Sequence, residues 1–443
     1  MHGPYAQVQS VAGKSRVRGL LLRAWDVAWR WRTRIFLAVA DQGAASVSNF
    51  LLTILLAIWL PLDEFGRYVV IWSGSLLIES FQVALITDSM PAIVSRRGRQ
   101  NRRRLDVAGL WVVLGYGAMT SLLILAAVPI AALWFPHFSV PLLCLALVNP
   151  LMRLYIYLRR LSYIRSRQDA ATAASAIYGA IILSGVLTLL YFDFLSVSVV
   201  ILLWGLACGA AALATALMGV AAFERTRAAT AVWLTRELWR SGRWLAGAAI
   251  GFWITTWGLF PIIAAIAGTE AAGLVRALQN LFTPIVQFNA ALNLAILPRV
   301  ADAVVTAGTR YARRFAIYAT VGFTSIVIVY AAIVVIEPQQ LLTLIYRKPE
   351  IAAASALLWP LGLAMILESA RQGSSMALLS LRRTQMFFVS RVVGVSVFIL
   401  GVVVLGRMMG TEGILWANVT SHAVGTGLLM YEAFTIDRRF HSA

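Results

Sequence analysis

Polar side chains recur along one apolar run in the second half of the chain. At intervals of 4, 3 and 4 residues, this run carries Arg276, Asn280, Thr283 and Gln287. On an α-helix, that spacing places the four side chains within about 60° of one another, on a single stripe. The stripe predicts either the wall of a water-filled cavity or hydrogen bonds between packed helices. We favour the cavity for Arg276, because no acid on its own run lies at pairing distance.

Two runs near the N-terminus carry similar stripes. In the first run, Asp41 and Asn49 lie on one face of a helix, and in the second run Glu79 and Gln82 do. The same two interpretations apply, and we assign these stripes to the cavity as well. For Glu79 the sequence leaves two roles open, since the carboxyl group could carry an exchangeable proton or only accept a hydrogen bond.

Three further ionisable residues stand inside apolar runs. Glu368 and Arg371 are three residues apart, so their side chains can pair across one helical turn, which favours a structural role over a place in the cavity. Arg153 has two interpretations that the sequence supports equally. Its side chain either faces the cavity or extends along its own apolar stem to the membrane surface.

Motifs of known enzymes are missing from the chain. Residues 13–15 read GKS, like the end of a phosphate-binding loop, but Val8 stands where that loop needs its first glycine. The histidines are scattered and the two cysteines lie in separate runs, so no metal-ligand spacing occurs. Hydrolase and zinc-protease motifs are absent too. We therefore expect no catalytic residues, no metal and no cofactor.

The elements that must position these residues are membrane-spanning helices. Apolar residues make up 60% of the 443 positions and charged residues 13%, whereas soluble domains average roughly 25% charged residues. About 20 helical residues cross a bilayer core. By that criterion the chain has twelve spans, at 35–60, 68–94, 107–134, 139–158, 170–191, 197–222, 244–267, 272–297, 315–336, 351–376, 386–407 and 412–434. The sequence thus predicts an all-α polytopic membrane protein.

Basic residues divide the predicted spans into two sides. Of 38 Lys and Arg residues, 31 fall in the two tails and the even-numbered connections, and only 4 in the odd-numbered connections. Because basic loops remain in the cytoplasm, both termini are predicted to lie on the cytoplasmic side of the inner membrane. The same alternation accounts for the net charge of +19 without a nucleic-acid partner.

The two halves of the chain show an internal repeat. An arginine followed by an apolar stretch, a basic cluster and a glutamine occurs at 153–168 and again at 371–385. The offset matches two halves of six spans each, an arrangement typical of transporters. The predicted organisation is a basic amphipathic tail, a first lobe, an amphipathic linker, a second lobe and a short tail, at 1–34, 35–222, 223–243, 244–434 and 435–443.

Three segments of the chain carry a resemblance to a known family. The first is DQGAASVSNFLLTILLAIWLPLDEFGRYVV at 41–70, in which the span ends in an acidic turn with Glu64, Phe65 and Gly66. The others are WRSGRWLAGAAIGFW at 239–253 and GLVRALQNLFTPIVQFNAALNLAILPRV at 273–300. Together they resemble bacterial polysaccharide transporters of the multidrug/oligosaccharidyl-lipid/polysaccharide (MOP) exporter superfamily. The resemblance implies a MATE-like fold of twelve helices, in which two six-helix lobes surround a central cavity lined by the first, second, seventh and eighth helices.

The resemblance also implies a class of substrate. Flippases of this family carry cationic cavity residues for the pyrophosphate of a lipid carrier, and Arg276 is the best match in this sequence. Trp253 and Trp257, on the seventh span, would stack on sugar rings. Lipid II itself is disfavoured, because the span pattern lacks the two extra helices typical of peptidoglycan-precursor flippases.

Three functions follow as hypotheses. The first is a flippase for polyprenyl-pyrophosphate-linked repeat units of exopolysaccharide or O-antigen, embedded in the bilayer of the bacterial inner membrane beside other polysaccharide-assembly proteins. The second is a cation-coupled multidrug exporter of the same superfamily, which should carry a compact acidic site. The third is a polymerase or ligase of polysaccharide assembly, which needs larger loops than the odd-numbered connections offer.

Overall fold

The computed structural model describes Thr33 and residues 36–435, apart from 92, 94–101, 221–226 and 382. Throughout this part of the chain every regular element is a helix, which confirms the predicted all-α class. Helices are expected, because the bilayer core offers no water to the backbone and each segment must pair its own N–H and C=O groups. The predicted amphipathic tail lies outside the described residues except for Thr33, and the C-terminal tail does so beyond Thr435.

The first lobe contains six helices among the described residues. They are α1 (Phe36–Trp59), α2 (Leu62–Gln82, continued by a π-helical turn at Val83–Thr87), α3 (Arg102–Trp134), α4 (Pro136–Ile164), α5 (Gln168–Tyr191) and α6 (Val197–Leu217). Helix α4 packs against α3 on one side and against α6 on the other, and α5 packs against α6. The lobe is therefore built around α4, the helix that carries Arg153.

The second lobe contains nine helices in the described chain, several of them short. They are α7 (Ala228–Thr256), α8 (Leu259–Ala267), α9 (Thr269–Asn280), α10 (Thr283–Ile336), α11 (Pro338–Tyr346), α12 (Pro349–Ala353), α13 (Leu358–Ser380), α14 (Thr384–Gly401) and α15 (Arg407–Phe434). Helices α10 and α15 each consist of two arms that meet at a glycine with positive φ, 71° at Gly308 and 59° at Gly410. Glycine adopts this backbone conformation without steric cost.

By length and apolar composition, eight described helices could cross a membrane, or nine if the bent pair Leu245–Thr256 and Leu259–Ala267 counts as one span. The sequence predicts twelve spans, and the difference has two physical causes. One of the eight helices, Gln385–Phe434, contains the break at Gly410 and corresponds to two predicted spans. Two other predicted spans, 272–297 and 351–376, contain polar stripes. Each lacks a continuous helix that is both long enough and apolar enough to be counted as a membrane span.

The amphipathic linker predicted at 223–243 is continuous with a membrane helix. Helix α7 begins at Ala228 and continues without a break to Thr256. Leu234 and Leu238 are buried, four residues apart, so one face of this extension packs against the protein. The amphipathic pattern of the linker therefore belongs to the first turns of α7.

The two lobes meet closely where α2 and α9 begin. A Cβ atom at Gly66 would overlap the backbone of Thr269, and one at Gly273 would lie 2.6 Å from the carbonyl oxygen of Leu62. The Thr269 hydroxyl also donates a hydrogen bond to Asp63. Both helices begin at odd-numbered connections, so the contact lies on the side with few basic residues. We call this side the arginine-poor side, and the other side the basic side.

Candidate substrate site between the lobes

The Arg276 side chain lies in a cage of aromatic rings supplied by both lobes. Its guanidinium carbon is 4.6 Å from the ring centroid of Trp72 on α2, 5.6 Å from that of Trp257 and 5.9 Å from that of Phe260 on α8. Trp72 and Trp257 meet edge to face, with their centroids 5.0 Å apart. The faces of such rings attract cations. The first lobe and the second lobe thus hold one arginine between them.

Arg276 is buried without a counter-charge. Its exposed fraction is 6%, and no carboxylate of the described residues lies within 4.0 Å of its nitrogens. One Nη group donates to Oε1 of Gln279 at 3.1 Å, while the Nε–H group has no hydrogen-bond partner in the described part of the chain. Arginine stays protonated in proteins and offers five N–H donors in a rigid fork. The site therefore keeps a positive charge and free donors for an anion.

The stripe predicted on the eighth span is interrupted. Helix α9 ends at Asn280, and α10 begins at Thr283 after two residues in a turn. Asn280 is fully buried beside the lobe interface, where its Oδ1 accepts a hydrogen bond from Thr53 of α1 at 3.3 Å. Gln287 is half-buried on the first turns of α10. Arg276 and Asn280 share α9, Gln287 lies on α10, and the cavity role of all three stays a prediction.

Asp41 forms an ion pair inside the first lobe. Its side chain has no exposed surface, and Arg159 of α4 donates to both carboxylate oxygens, at 3.0 and 2.8 Å. Ser175 donates to Oδ1 at 2.5 Å, and the Tyr163 hydroxyl donates to Oδ2. In this structure the carboxylate joins α1 to α4 and α5, and its place in the cavity stays a prediction.

Asn49 and Gln82 differ in exposure. Asn49 is exposed on α1 and accepts a hydrogen bond from the Tyr178 hydroxyl at 2.7 Å. Gln82 is fully buried and donates to the backbone carbonyl of Arg153 at 2.7 Å. Asn49 therefore has the accessibility that a cavity residue needs, while Gln82 connects α2 to α4 in the first lobe.

Glu79 is an acid in the interior of α2 for which the structure shows no fixed partner among the described residues. Its side chain is half-buried and forms no hydrogen bond or ion pair among the described residues. The charge with the strongest electrostatic effect on Glu79 is that of Arg153, which is 1% exposed. No nitrogen of Arg153 lies within 4.0 Å of the Glu79 carboxylate. Arg153 donates to Ser75 at 3.0 Å, and its Nε and Nη1 groups have no hydrogen-bond partner within the described chain. Arg153 thus lies inside the lobe, near an acid that is free to change its contacts.

The predicted pair of Glu368 and Arg371 is present, within a larger cluster. The Arg371 nitrogen lies 3.7 Å from one carboxylate oxygen of Glu368, and Arg391 of α14 lies 3.5 Å from the other. His422 of α15 approaches Glu368 at 3.1 Å. The Arg391 guanidinium also stacks on Phe252, at 5.1 Å. One carboxylate therefore connects three helices of the second lobe, which is a structural role for the group.

Trp253 and Trp257 take different positions on the seventh span. Trp253 is half-buried and donates its indole N–H to the carbonyl oxygen of Ser73 at 2.7 Å, which joins α7 to α2. Trp257, one turn further, belongs to the cage around Arg276. Sequence reasoning missed Trp72, although a signal existed. Trp72 precedes Ser75 and Glu79 at helical spacing and so lies on the stripe already identified on this span.

No protein-family model matches the chain, and no curated protein does. Solved structures do match. A multidrug resistance MATE family transporter of the MOP superfamily, in an inward-facing conformation, aligns with a TM-score of 0.71 at 12% identity, covering 90% of this chain and 99% of that chain. The lipid II flippase MurJ, in an inward closed conformation, aligns with a TM-score of 0.69 at 12% identity, covering 90% of this chain and 87% of that chain.

The chain has the fold of the MOP transporters. An outward-facing MATE transporter of this superfamily also aligns, with a TM-score of 0.67 at 11% identity, covering 90% of this chain and 94% of that chain. The fold that the sequence resemblance predicts is therefore confirmed. The helices and the neighbours also support a multi-pass membrane protein. Both kinds of neighbour transport their substrates, as the sequence analysis expects of this protein.

Proposed function

We propose that the protein is a flippase that moves polyprenyl-pyrophosphate-linked oligosaccharide repeat units across the bacterial inner membrane, for exopolysaccharide or O-antigen synthesis. The observation that carries this proposal is the Arg276 guanidinium, which is buried between the lobes with no carboxylate of the described residues beside it. A buried cation without a partner is costly in a membrane protein, so its presence calls for a ligand that compensates it. A pyrophosphate group is such a ligand.

The surroundings of Arg276 suit a phosphate bound to a sugar. The planar guanidinium can donate two parallel hydrogen bonds to phosphate oxygens, and the attraction is far stronger in a site with few waters than in bulk water. Trp72 and Trp257 offer apolar ring faces beside it, on which a sugar ring can stack. Asn49 and Gln287 are accessible amides that can bind sugar hydroxyls.

The position of the site gives a direction of loading. Arg276 lies seven residues beyond the start of α9, hence about 10 Å below the closed arginine-poor side. A head group would enter from the basic side, with its polyprenyl tail left in the lipid between the two lobes. Rocking of the lobes would then expose the site on the arginine-poor side.

The orientation of the chain in the membrane is part of the proposal. If the basic side is cytoplasmic, a reporter enzyme that is active only in the periplasm should remain inactive when it is fused after Ala443. A cytoplasmic reporter at the same position should be active. The opposite pair of results would reverse the direction of transport proposed here.

A second function, cation-coupled multidrug export, is favoured by one observation. Glu79 is an acid without a fixed partner, and a cationic drug or a coupling proton could bind there. Asp41 and Glu368 are already bound by arginines. The described spans thus offer a drug exporter one free carboxylate, whereas the flippase hypothesis assigns a role to Arg276.

Deletion of the gene tests the proposal. Surface polysaccharide should disappear, and lipid-linked repeat units should accumulate where a membrane-impermeant sugar oxidant cannot reach them in spheroplasts. A plasmid copy with Arg276→Ala should fail to restore transport. The copy with Arg236→Ala, which changes an exposed arginine of α7, should restore it.

Three other outcomes would refute the proposal. If the accumulated units are accessible to the oxidant, translocation is intact and a later step, such as polymerisation or ligation, is affected. If surface polysaccharide is unchanged and only drug tolerance falls, the protein is a drug exporter. If the Arg276→Ala copy restores full transport, the anion binds elsewhere.

A further inference from the structure

A short segment of the second lobe covers the arginine-poor side of the lobe interface. It contains α11 (Pro338–Tyr346) and α12 (Pro349–Ala353), and Lys348 lies between them. The Lys348 ammonium group donates to the carbonyl oxygens of Ala57 at 2.8 Å and Leu60 at 2.5 Å, at the end of α1 in the first lobe. The contact is therefore a direct bridge between the lobes.

The local sequence creates the acceptor that Lys348 uses. In a continuing helix, the carbonyl of Ala57 would accept a hydrogen bond from the backbone N–H four residues later. That residue is Pro61, which has no N–H. The carbonyl oxygen of Ala57 is thus left without its helical donor at the negative end of the α1 dipole, where a cation is stabilised.

The same segment contacts the helix that carries the candidate site. Tyr346 is fully buried and donates its hydroxyl hydrogen to the carbonyl oxygen of Ala277 at 2.7 Å. Ala277 is the neighbour of Arg276 on α9. The segment therefore touches α1 through Lys348 and α9 through Tyr346. The Asp63–Thr269 hydrogen bond and the close approach at Gly66 lie at the same end of the lobes.

We propose that Lys348 is a latch that holds the two lobes together on the arginine-poor side, and that it leaves the α1 carbonyls whenever that side opens. The contact is reversible because the ammonium group must give up bound water to form it, and this desolvation cost offsets part of the gain from the two hydrogen bonds. Burial lowers the pKa of Lys348, while the Glu350 carboxylate acts in the opposite direction. When the lobes separate, the ammonium group is hydrated again. The proposal rests on the lobe contacts and is independent of the substrate.

Entry of a thiol reagent tests the latch. Thr53 lies inside the closed interface, 2% exposed, so Thr53→Cys in a Cys144→Ser, Cys208→Ala background reports opening of the arginine-poor side. A membrane-impermeant maleimide is added, without substrate, to vesicles of both orientations, which identify the side of entry. We expect Lys348→Met to accelerate labelling from the arginine-poor side about ten-fold, which corresponds to about 1.4 kcal/mol.

Two matched variants keep the test decisive. Arg407→Met removes an exposed positive charge at the start of α15 and should label at the parent rate. Lys348→Arg keeps the charge and the donors and should stay close to the parent. The latch is refuted if Lys348→Met labels no faster than the parent. It is equally refuted if the Met and Arg variants, or the Met variant and Arg407→Met, accelerate labelling alike.

Discussion

Arg159 and Arg276 are two largely buried arginines with opposite surroundings. Arg159 lies inside the first lobe and binds both oxygens of Asp41. Arg276 lies between the lobes and is surrounded by aromatic rings, with no carboxylate of the described residues in reach. A pair inside one lobe stays intact when the lobes move against each other. An unpaired charge between the lobes remains available to a ligand, and under the proposed function this difference separates a structural charge from a substrate-binding one.

The largest expected effect concerns the pair inside the lobe. Asp41→Ala leaves the Arg159 guanidinium without its carboxylate and removes the acceptor of Ser175 and Tyr163. Loss of one partner of a buried ion pair costs about 3–5 kcal/mol. We therefore expect a large fall in the thermal unfolding midpoint and in the amount of folded protein. Asp169→Ala, which breaks an exposed pair with Arg167, is the control and should change the midpoint little. An unchanged unfolding midpoint for Asp41→Ala would contradict the claim that the Asp41–Arg159 pair stabilises the first lobe.

An intermediate effect is expected at Glu79, the acid without a fixed partner. If its carboxyl group carries a proton through the transport cycle, Glu79→Gln should reduce transport strongly, and the remaining transport should no longer vary with pH. The unfolding midpoint should hardly change, because no described hydrogen bond or ion pair is lost. Transport assays across a range of pH values measure this directly. Near-normal transport by Glu79→Gln would show that the residue only accepts hydrogen bonds.

The smallest expected effect concerns Trp253. Trp253→Phe keeps an aromatic ring but loses the hydrogen bond to the Ser73 carbonyl oxygen. The loss of one neutral hydrogen bond costs about 0.5–1.5 kcal/mol, so the unfolding midpoint should fall slightly. If Trp253 only joins α7 to α2, transport should follow stability. A loss of transport without a change in stability would instead place the indole in contact with the sugar.

Much of the fold follows from patterns that act over short distances. Apolar runs and alternating basic connections predict the spans and their sides, because both depend on transfer of single segments into lipid. Arg276 is also found this way, since the sequence shows that no acid on its own apolar run lies at pairing distance from it. The partner of Asp41 is not, because Arg159 lies 118 residues away in the chain. Which helix faces Asp41 depends on how α1, α4 and α5 rotate and pack.

Two other features show the limit of periodicity. The stripe of Arg276 and Gln287 assumes an unbroken helix, whereas α9 ends at Asn280. Arg391 lies near the start of a predicted span, at 386–407, and the structure places it within α14, stacked on Phe252 and near Glu368. A long side chain can turn toward a ring or a carboxylate on a neighbouring helix, and no local pattern encodes that choice.

Binding of a polyprenyl pyrophosphate by the purified protein in lipid nanodiscs tests the central claim most directly. The wild-type protein should bind a short-chain polyprenyl pyrophosphate, and Arg276→Met should bind it at least about ten times more weakly, a loss of about 1.4 kcal/mol. Arg276→Lys should lie between them, because the charge remains while the bidentate fork is lost. The unfolding midpoint of Arg276→Met should be unchanged or higher, since a buried unpaired charge is removed. Equal affinity of Arg276→Met and the wild-type protein would contradict the account.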